Sequence, residues 1–248
     1  SEMCIRDSYI IPREYTAIPA SEVKITIVEG TGSLLGAMSR NAQSKACEYL
    51  GKLGVDVVLN HFLKSYEGHT ALLDNGDEIP SGMVIWTAGI VANSFNFTGF
   101  SPSLARGGRI KVDSRNLADG SNNIYVVGDM AYMSTDRYPS GHPQLAQVAI
   151  QQSINLARNL NRKLEDSTPF VYRDKGTMAT VGRNMAVADL KSVKLSGRLA
   201  WMVWMFIHLI SILGMRNKLT VLINWIWAYC TYSTSLRQLI YQDEYPLR

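Results

Sequence analysis

Four short stretches of this sequence carry residue types whose spacing could do chemistry. Glu29 stands at the end of the β-branched run Val23–Val28 (VKITIV), just before Gly30. A carboxylate at the carboxyl end of such a strand can accept hydrogen bonds from a nucleotide ribose 2′-OH and repel a 2′-phosphate; an exposed turn glutamate is the alternative. Gly128-Asp129 ends the apolar run Asn123–Val127. The glycine lets a ligand approach the backbone and the carboxylate can accept from sugar-type hydroxyls, while Gly-Asp is also a common turn pair. Gln147 and Gln151 are four residues apart on a helix that starts after Gly141-His142-Pro143, so their amides share a face. The start of that helix, near Leu145 and Ala146, offers N–H groups and a positive dipole end to an anion, against the plainer reading of two solvated glutamines. His208 stands alone in an apolar stretch. It is read either as a hydrogen-bonded core or interfacial histidine or as a donor to a carbonyl ligand.

Other chemistries find no support. The four histidines (His61, His69, His142 and His208) are too scattered for a catalytic triad or a zinc-ligand set. Cys4, Cys47 and Cys230 form no close pair, which argues against a disulfide framework and a thiol-metal site. With 46% hydrophobic and 19% charged residues the chain is globular, and a net charge of +4 does not indicate nucleic acid. The positive charge gathers at one end: Lys191, Lys194, Arg198, Arg216, Lys218, Arg237 and Arg248 against Asp243 and Glu244. A basic segment that is also the most apolar one points to an anionic lipid surface.

The elements that must position these residues follow from periodicity. Val23–Val28 and Val55–Leu59 are strands flanking a helix over Ser39–Leu53, whose buried face is Ala42, Ala46, Tyr49, Leu50 and Leu53 and whose stop is Gly54. Asp74-Asn75-Gly76-Asp77 joins Thr70–Leu73 and Glu78–Ile79 into a hairpin. Met83–Trp86 is expected as a buried strand ending in Thr87-Ala88-Gly89. This order matches the second half of a dinucleotide-binding α/β unit. After a connection over Asn93–Gly108, strands are expected at Arg109–Val112, Asn123–Val127, Phe170–Tyr172 and Met178–Val181, with a helix over Gln144–Leu164. Two apolar helices, Leu199–Met215 and Leu219–Tyr232, follow; neither clearly reaches the ~20 residues of a bilayer span.

Val28-Glu29-Gly30, Ile85-Trp86-Thr87-Ala88-Gly89, Val127-Gly128-Asp129, Gln144–Gln152 (QLAQVAIQQ), Tyr172–Arg183 (YRDKGTMATVGR) and Arg216-Asn217-Lys218-Leu219 together resemble the type II NADH dehydrogenase family, from about Tyr9 to Arg248. The resemblance implies an α/β fold: a partial flavoprotein with two dinucleotide-binding domains plus C-terminal amphipathic membrane-binding helices. Residues 1–98 would be part of the NADH domain, 99–168 the C-terminal part of the FAD domain, and 169–248 the membrane-anchoring and quinone-site segment. It implies FAD held by Gly128, Asp129, Leu145, Ala146 and Gln147, NADH met by Glu29, Ala88 and Gly89, and a membrane quinone lined by Gln147, Ile150, Gln151 and His208. Electrons would pass from NADH through the flavin to the quinone without proton pumping, at the cytoplasmic face of a bacterial inner membrane. A homodimer is left open. The competing readings are a flavin-dependent reductase with another acceptor and a non-catalytic membrane-surface protein or inactive fragment.

The sequence contains no G-x-G-x-x-G, the loop that presents backbone amides to a dinucleotide pyrophosphate. Ser1–Ser8 also departs from the family's pattern, so a truncated chain is expected. The 248-residue chain should therefore purify without stoichiometric FAD and without NADH:quinone activity. Flavin absorbance per mole of chain checks this, and tight flavin binding by the chain alone would require another phosphate site.

Overall fold

The computed structural model describes residues 24–95, 97–161, 167–212 and 214–231. By its contacts the chain divides into two compact units. One holds the described residues up to Val84 and from Gly176 onward; the other is Ile85–Lys175.

In the first unit, strand β1 (Ile25–Glu29) pairs in parallel with β2 (Val55–Leu59), Glu29 lying opposite Leu59. The crossover is helix α1 (Arg40–Lys52). Its stop is physical: Gly54 takes a left-handed φ of 64°, which a side chain resists. Ala42, Ala46, Tyr49 and Leu50 are buried on one face, as their spacing requires. A three-stranded antiparallel sheet follows, in the order β3 (Leu63–Glu67), β4 (Thr70–Leu73), β5 (Glu78–Pro80). Gly68 and His69 both have positive φ, the geometry of a tight two-residue hairpin.

The C-terminal part of this unit is an antiparallel sheet, β8 (Thr177–Gly182), β9 (Met185–Asp189) and β10 (Lys194–Ser196), with β9 central. Both its faces are covered. Val181 and Val187 join the α1 core, whereas Ala186 and Ala188 pack with Ala200 of helix α3 (Gly197–Ser211). The two-residue period of a strand sorts these residues to opposite sides, and alanines let the helix approach closely. Helix α4 (Met215–Thr231) follows, and none of its residues is fully buried.

The unit Ile85–Lys175 is mostly loops and bridges around two short elements and one helix. Strand β6 (Ile110–Lys111) pairs in parallel with β7 (Ala131–Tyr132), and helix α2 spans Ala146–Leu160.

Several expectations change. Met83–Trp86 is not a strand; Met83, Ile85 and Trp86 are exposed, and no strand among the described residues pairs with them. Asn123–Val127 forms only an isolated bridge at Tyr125. Phe170–Tyr172 alternates buried and exposed like a strand, but its backbone partners are the Ser114 carbonyl and, just beyond, a glutamine side chain, so no ladder forms. The helix expected from Gln144 begins at Ala146, and the first apolar helix ends at Ser211. Ser1–Ser8, Leu164 and Tyr232 lie outside the described residues.

One carboxylate ties the N-terminal and C-terminal parts of the first unit together. Asp189, at the end of β9, accepts from Ser39 N at 2.6 Å and Ser39 Oγ at 2.8 Å, and Ser39 is the N-cap of α1. Hydrogen bonds to a charged group contribute about 1.5–3 kcal/mol each, and a lost cap about 1. Asp189→Ala should therefore destabilise this unit by about 2 kcal/mol, with Asp189→Asn recovering part of the loss. Midpoints of urea unfolding check this, and equal midpoints for all three proteins would remove Asp189 from the account.

Candidate functional site: a glycine turn on a helix start

The residues expected to meet a flavin gather within the unit Ile85–Lys175. The chain leaving Val127 makes one 3₁₀ turn, Gly128–Met130, and Gly128 has a φ of 70°. Its N–H donates to Gln152 Oε1 at 2.7 Å, and Gln152 is buried. A β-carbon on Gly128 would stand 3.1 Å from Ala149 Cβ. Glycine is thus needed twice, for its backbone angle and for the close approach of α2. Asp129 itself is exposed, and its carbonyl accepts from Gln144 Nε2 at 3.1 Å. Gly128, Asp129 and the Leu145–Gln147 helix start are therefore brought together. Leu145, the N-cap of α2, makes no side-chain capping bond, and both Leu145 and Ala146 are exposed. A helix start without a cap is a favourable place for an anionic or electron-rich acceptor.

Behind this turn sits a buried cation that the sequence reading did not single out. Arg109 Nη2 donates to the carbonyls of Ala131 at 2.5 Å and His142 at 2.9 Å. It thereby joins the segment just after Asp129 to the loop that feeds α2. Burial lowers the Arg109 pKa and the Asp129 charge opposes that shift. His142 is buried among Tyr138, Phe170 and Tyr172, with ring centroids at 4.7, 5.4 and 5.7 Å. Its pKa is lowered, first by burial and then by Arg109, which favours the neutral ring. The Tyr172 phenol is pushed up to about 12, first by burial and then by Asp174. Gln152 had a legible signal, since it shares a face with Leu145, Val148 and Ala149. Arg109 and His142 had none, because their partners are carbonyls distant in sequence.

Gln147 and Gln151 share a face, and both amides already serve the protein. Gln151 Nε2 donates to the Arg173 carbonyl at 2.9 Å and its Oε1 accepts from Arg173 N at 3.0 Å. Gln147 Oε1 accepts from Lys175 N at 3.1 Å. The glutamine face thus takes the place of a strand for residues 173–175. Ile150, between the two, is exposed.

The remaining candidates stand apart. Ala88 and Gly89 lie in an exposed irregular segment, where the Ala88 carbonyl accepts from Trp86 Nε1 at 3.0 Å. Glu29 belongs to the other unit, at the end of β1. Its Oε1 accepts from Thr31 N at 2.9 Å and Thr31 Oγ1 at 2.8 Å, while Oε2 takes no hydrogen bond among the described residues. His208 lies on α3 of that unit, exposed, with Nδ1 2.8 Å from the Trp204 carbonyl and its ring 4.0 Å from that of Trp204. No metal-binding cluster occurs among the described residues, and Cys47 and Cys230 are free thiols. No helix among them is long and apolar enough to cross a membrane.

Comparison with known proteins places this arrangement. Residues 14–153 match the pyridine nucleotide-disulphide oxidoreductase family, and residues 175–231 match the NDH2 C-terminal domain. The type II NADH:quinone oxidoreductase Ndh of Mycobacterium tuberculosis is 30% identical over 239 residues, covering 92% of this chain and 50% of that protein. The internal alternative NAD(P)H-ubiquinone oxidoreductase A1 of Arabidopsis thaliana is 28% identical over 227 residues, covering 84% and 44%. The chain thus spans about half the length of the curated relatives it matches. The solved structure of NDH2 from Plasmodium falciparum in complex with NADH has the same fold, with a TM-score of 0.81 at 18% identity over 92% of this chain and 62% of that one. The chain belongs to the pyridine nucleotide-disulphide oxidoreductase family and, within it, to the type II NADH dehydrogenases.

Proposed function

We propose that this chain is part of the electron-transferring and membrane-facing machinery of an NADH:quinone oxidoreductase that does not pump protons. The observation that carries the proposal is the Gly128 turn, locked by Gln152 against an α2 start that no side chain caps. Such a turn fits FAD: Gly128 admits the cofactor to the backbone, the exposed Asp129 carboxylate accepts from its hydroxyls, and the amides around Leu145, Ala146 and Gln147 stabilise negative charge on its ring. When bound, FAD supplies the two-electron chemistry, and the protein supplies position and electrostatics. The names of the similar proteins, NADH or NAD(P)H dehydrogenases acting on quinones, agree with this assignment.

Glu29 binds the NADH ribose in this reading. Thr31 holds Oε1 and thereby orients Oε2 for a hydroxyl. Ala88 and Gly89 lie near the nicotinamide, where the exposed backbone of Gly89 bars no approach. Gln147, Ile150, Gln151 and His208 serve the quinone. The two glutamines act chiefly by holding the 173–175 backbone, Ile150 offers the apolar contact, and His208 is a donor on α3. The functional parts follow residues 1–98, 99–168 and 169–248. Helices α3 and α4 expose Met202, Phe206, Ile210, Ile223, Ile226 and Trp227, with Arg216 and Lys218 near their junction. Such a pair lies in the interface of an anionic bilayer, at the cytoplasmic face of a bacterial inner membrane. The same apolar surface is available to a homodimer.

The decisive experiment is flavin reduction by NADH and its reoxidation by a quinone, followed separately in the flavin-loaded complete enzyme of which these 248 residues are a part. Both half-reactions should occur, and failure of either refutes the assignment. Gln151→Ala removes two backbone hydrogen bonds of the 173–175 segment. It should lower kcat/KM for quinone about tenfold while leaving flavin reduction by NADH nearly unchanged. Equal losses in both halves would assign Gln151 to general stability. Glu29→Gln removes the repulsion of a 2′-phosphate, so the ratio of kcat/KM for NADH to that for NADPH should fall about tenfold. An unchanged ratio would detach Glu29 from the ribose.

A further inference from the structure

The carboxyl ends of β1 and β2 hold a second feature beside Glu29. Phe62 is 62% exposed, yet its backbone is held on both sides. Its N–H donates to Asp74 Oδ1 at 3.2 Å and its carbonyl accepts from Asp74 N at 3.0 Å. Asp74 Oδ1 also meets His61 Nδ1 at 3.0 Å, so the hairpin turn grips residues 61 and 62 together. Asn60, at a φ of 62°, donates its N–H to the Thr31 carbonyl at 3.1 Å. The chain leaving β2 is thereby fastened to the chain leaving β1.

The phenyl ring lies directly on Gly30. A β-carbon there would overlap Cε1 and stand 2.7 Å from Cδ1. Gly30 is not among the positive-φ glycines, so its backbone angles do not call for glycine; a side chain there would have to displace the exposed Phe62 ring. Gly32 is matched in the same way to Asn60, whose Oδ1 would be 3.2 Å from a β-carbon. Two glycines thus leave room for these side chains, and a solvent-facing aromatic ring on a held backbone lies one residue from Glu29. Ligands of open α/β sheets bind outside the carboxyl ends of parallel strands, and aromatic rings bind nucleobases by stacking.

We propose that Phe62, seated on Gly30, packs against the adenine ring of NADH while Glu29 takes the adjoining ribose. The proposal rests on the NADH reading above and names the residue that grips the base. The ring contributes to binding and not to the chemical step, because the adenine is the end of the cofactor that does not react. It is also indifferent to a 2′-phosphate, which Glu29 discriminates.

The test compares wild-type protein, Phe62→Ala and Phe62→Trp, each made in the complete enzyme and loaded with flavin. Phe62→Ala should raise the dissociation constants of NADH and of ADP-ribose roughly tenfold. The limiting rate of flavin reduction at saturating NADH should be unchanged, as should the NADH:NADPH ratio. Phe62→Trp should keep wild-type affinity. Reduced nicotinamide mononucleotide, which lacks the adenosine, should reduce the flavin of all three proteins equally well. Equal affinity of wild type and Phe62→Ala for ADP-ribose overturns the proposal and leaves the NADH reading intact. An equal loss toward reduced nicotinamide mononucleotide also overturns it, because Phe62 would then be supporting the fold. If the wild-type protein binds neither NADH nor ADP-ribose, both readings fail.

Discussion

The contact on which the unit Ile85–Lys175 depends is the hydrogen bond from Gly128 N–H to the buried Gln152 amide. An unpaired buried N–H is costly, so the turn needs a partner, and α2 supplies one from its second turn. The bond sets the distance between turn and helix, and the lack of a Gly128 side chain lets Ala149 close that distance. Asp129 is then presented outward beside the α2 start, with Gln144 holding its carbonyl. Replacing either partner would change where the carboxylate stands relative to the helix dipole. Any negative charge stabilised there depends on that distance, since the dipole effect fades within the first turn.

Around this contact the unit makes up for its scarcity of regular strands. Its two paired strands are two residues each, so side chains carry much of the backbone pairing. Arg109 satisfies two carbonyls on segments 22 and 33 residues away in sequence, Gln151 pairs with Arg173 as a strand neighbour would, and Asn116 Nδ2 donates to the Val126 carbonyl at 2.9 Å. Burying a guanidinium costs desolvation, and its hydrogen bonds together with the Asp129 charge offset that cost. Burial and the neighbouring guanidinium both lower the His142 pKa, which disfavours a second buried charge there.

The other unit uses a different device, one antiparallel sheet shared by two helices. Valines of β8 and β9 meet α1, while alanines of β9 meet α3. The Asp189–Ser39 bonds then join the sheet end to the start of α1, 150 residues away in sequence. Helices α3 and α4 hang on this frame through small-residue contacts and through Arg183. Its guanidinium lies 4.1 Å from the Tyr229 ring centroid and donates to the Tyr229 carbonyl at 2.5 Å. Their exposed apolar side chains have no cover within the described part of the unit.

Much of this protein was legible in its residues taken in order. Helix α1 could be placed to within a residue at either end, because Ser39 caps it, Gly54 stops it and its alanines recur at helical spacing. Glu29 at a strand end, Gly128-Asp129 before the glutamine helix, and two short apolar helices were equally readable, since each is a local pattern. The pairing partners were not. Met83–Trp86 has the composition of a buried strand, but a strand needs a neighbour for its backbone groups, and no residue type announces one. Phe170–Tyr172 likewise looks like a strand and finds a glutamine side chain instead of a ladder. Tertiary structure alone showed that Gln147 and Gln151 are occupied by the 173–175 backbone, that Arg109 binds the two arms of the Gly128 site, and that the Phe62 ring lies on Gly30. Each of these joins residues far apart along the chain, and such distances are set only when hydrophobic burial and the demand to satisfy every buried polar group are met together.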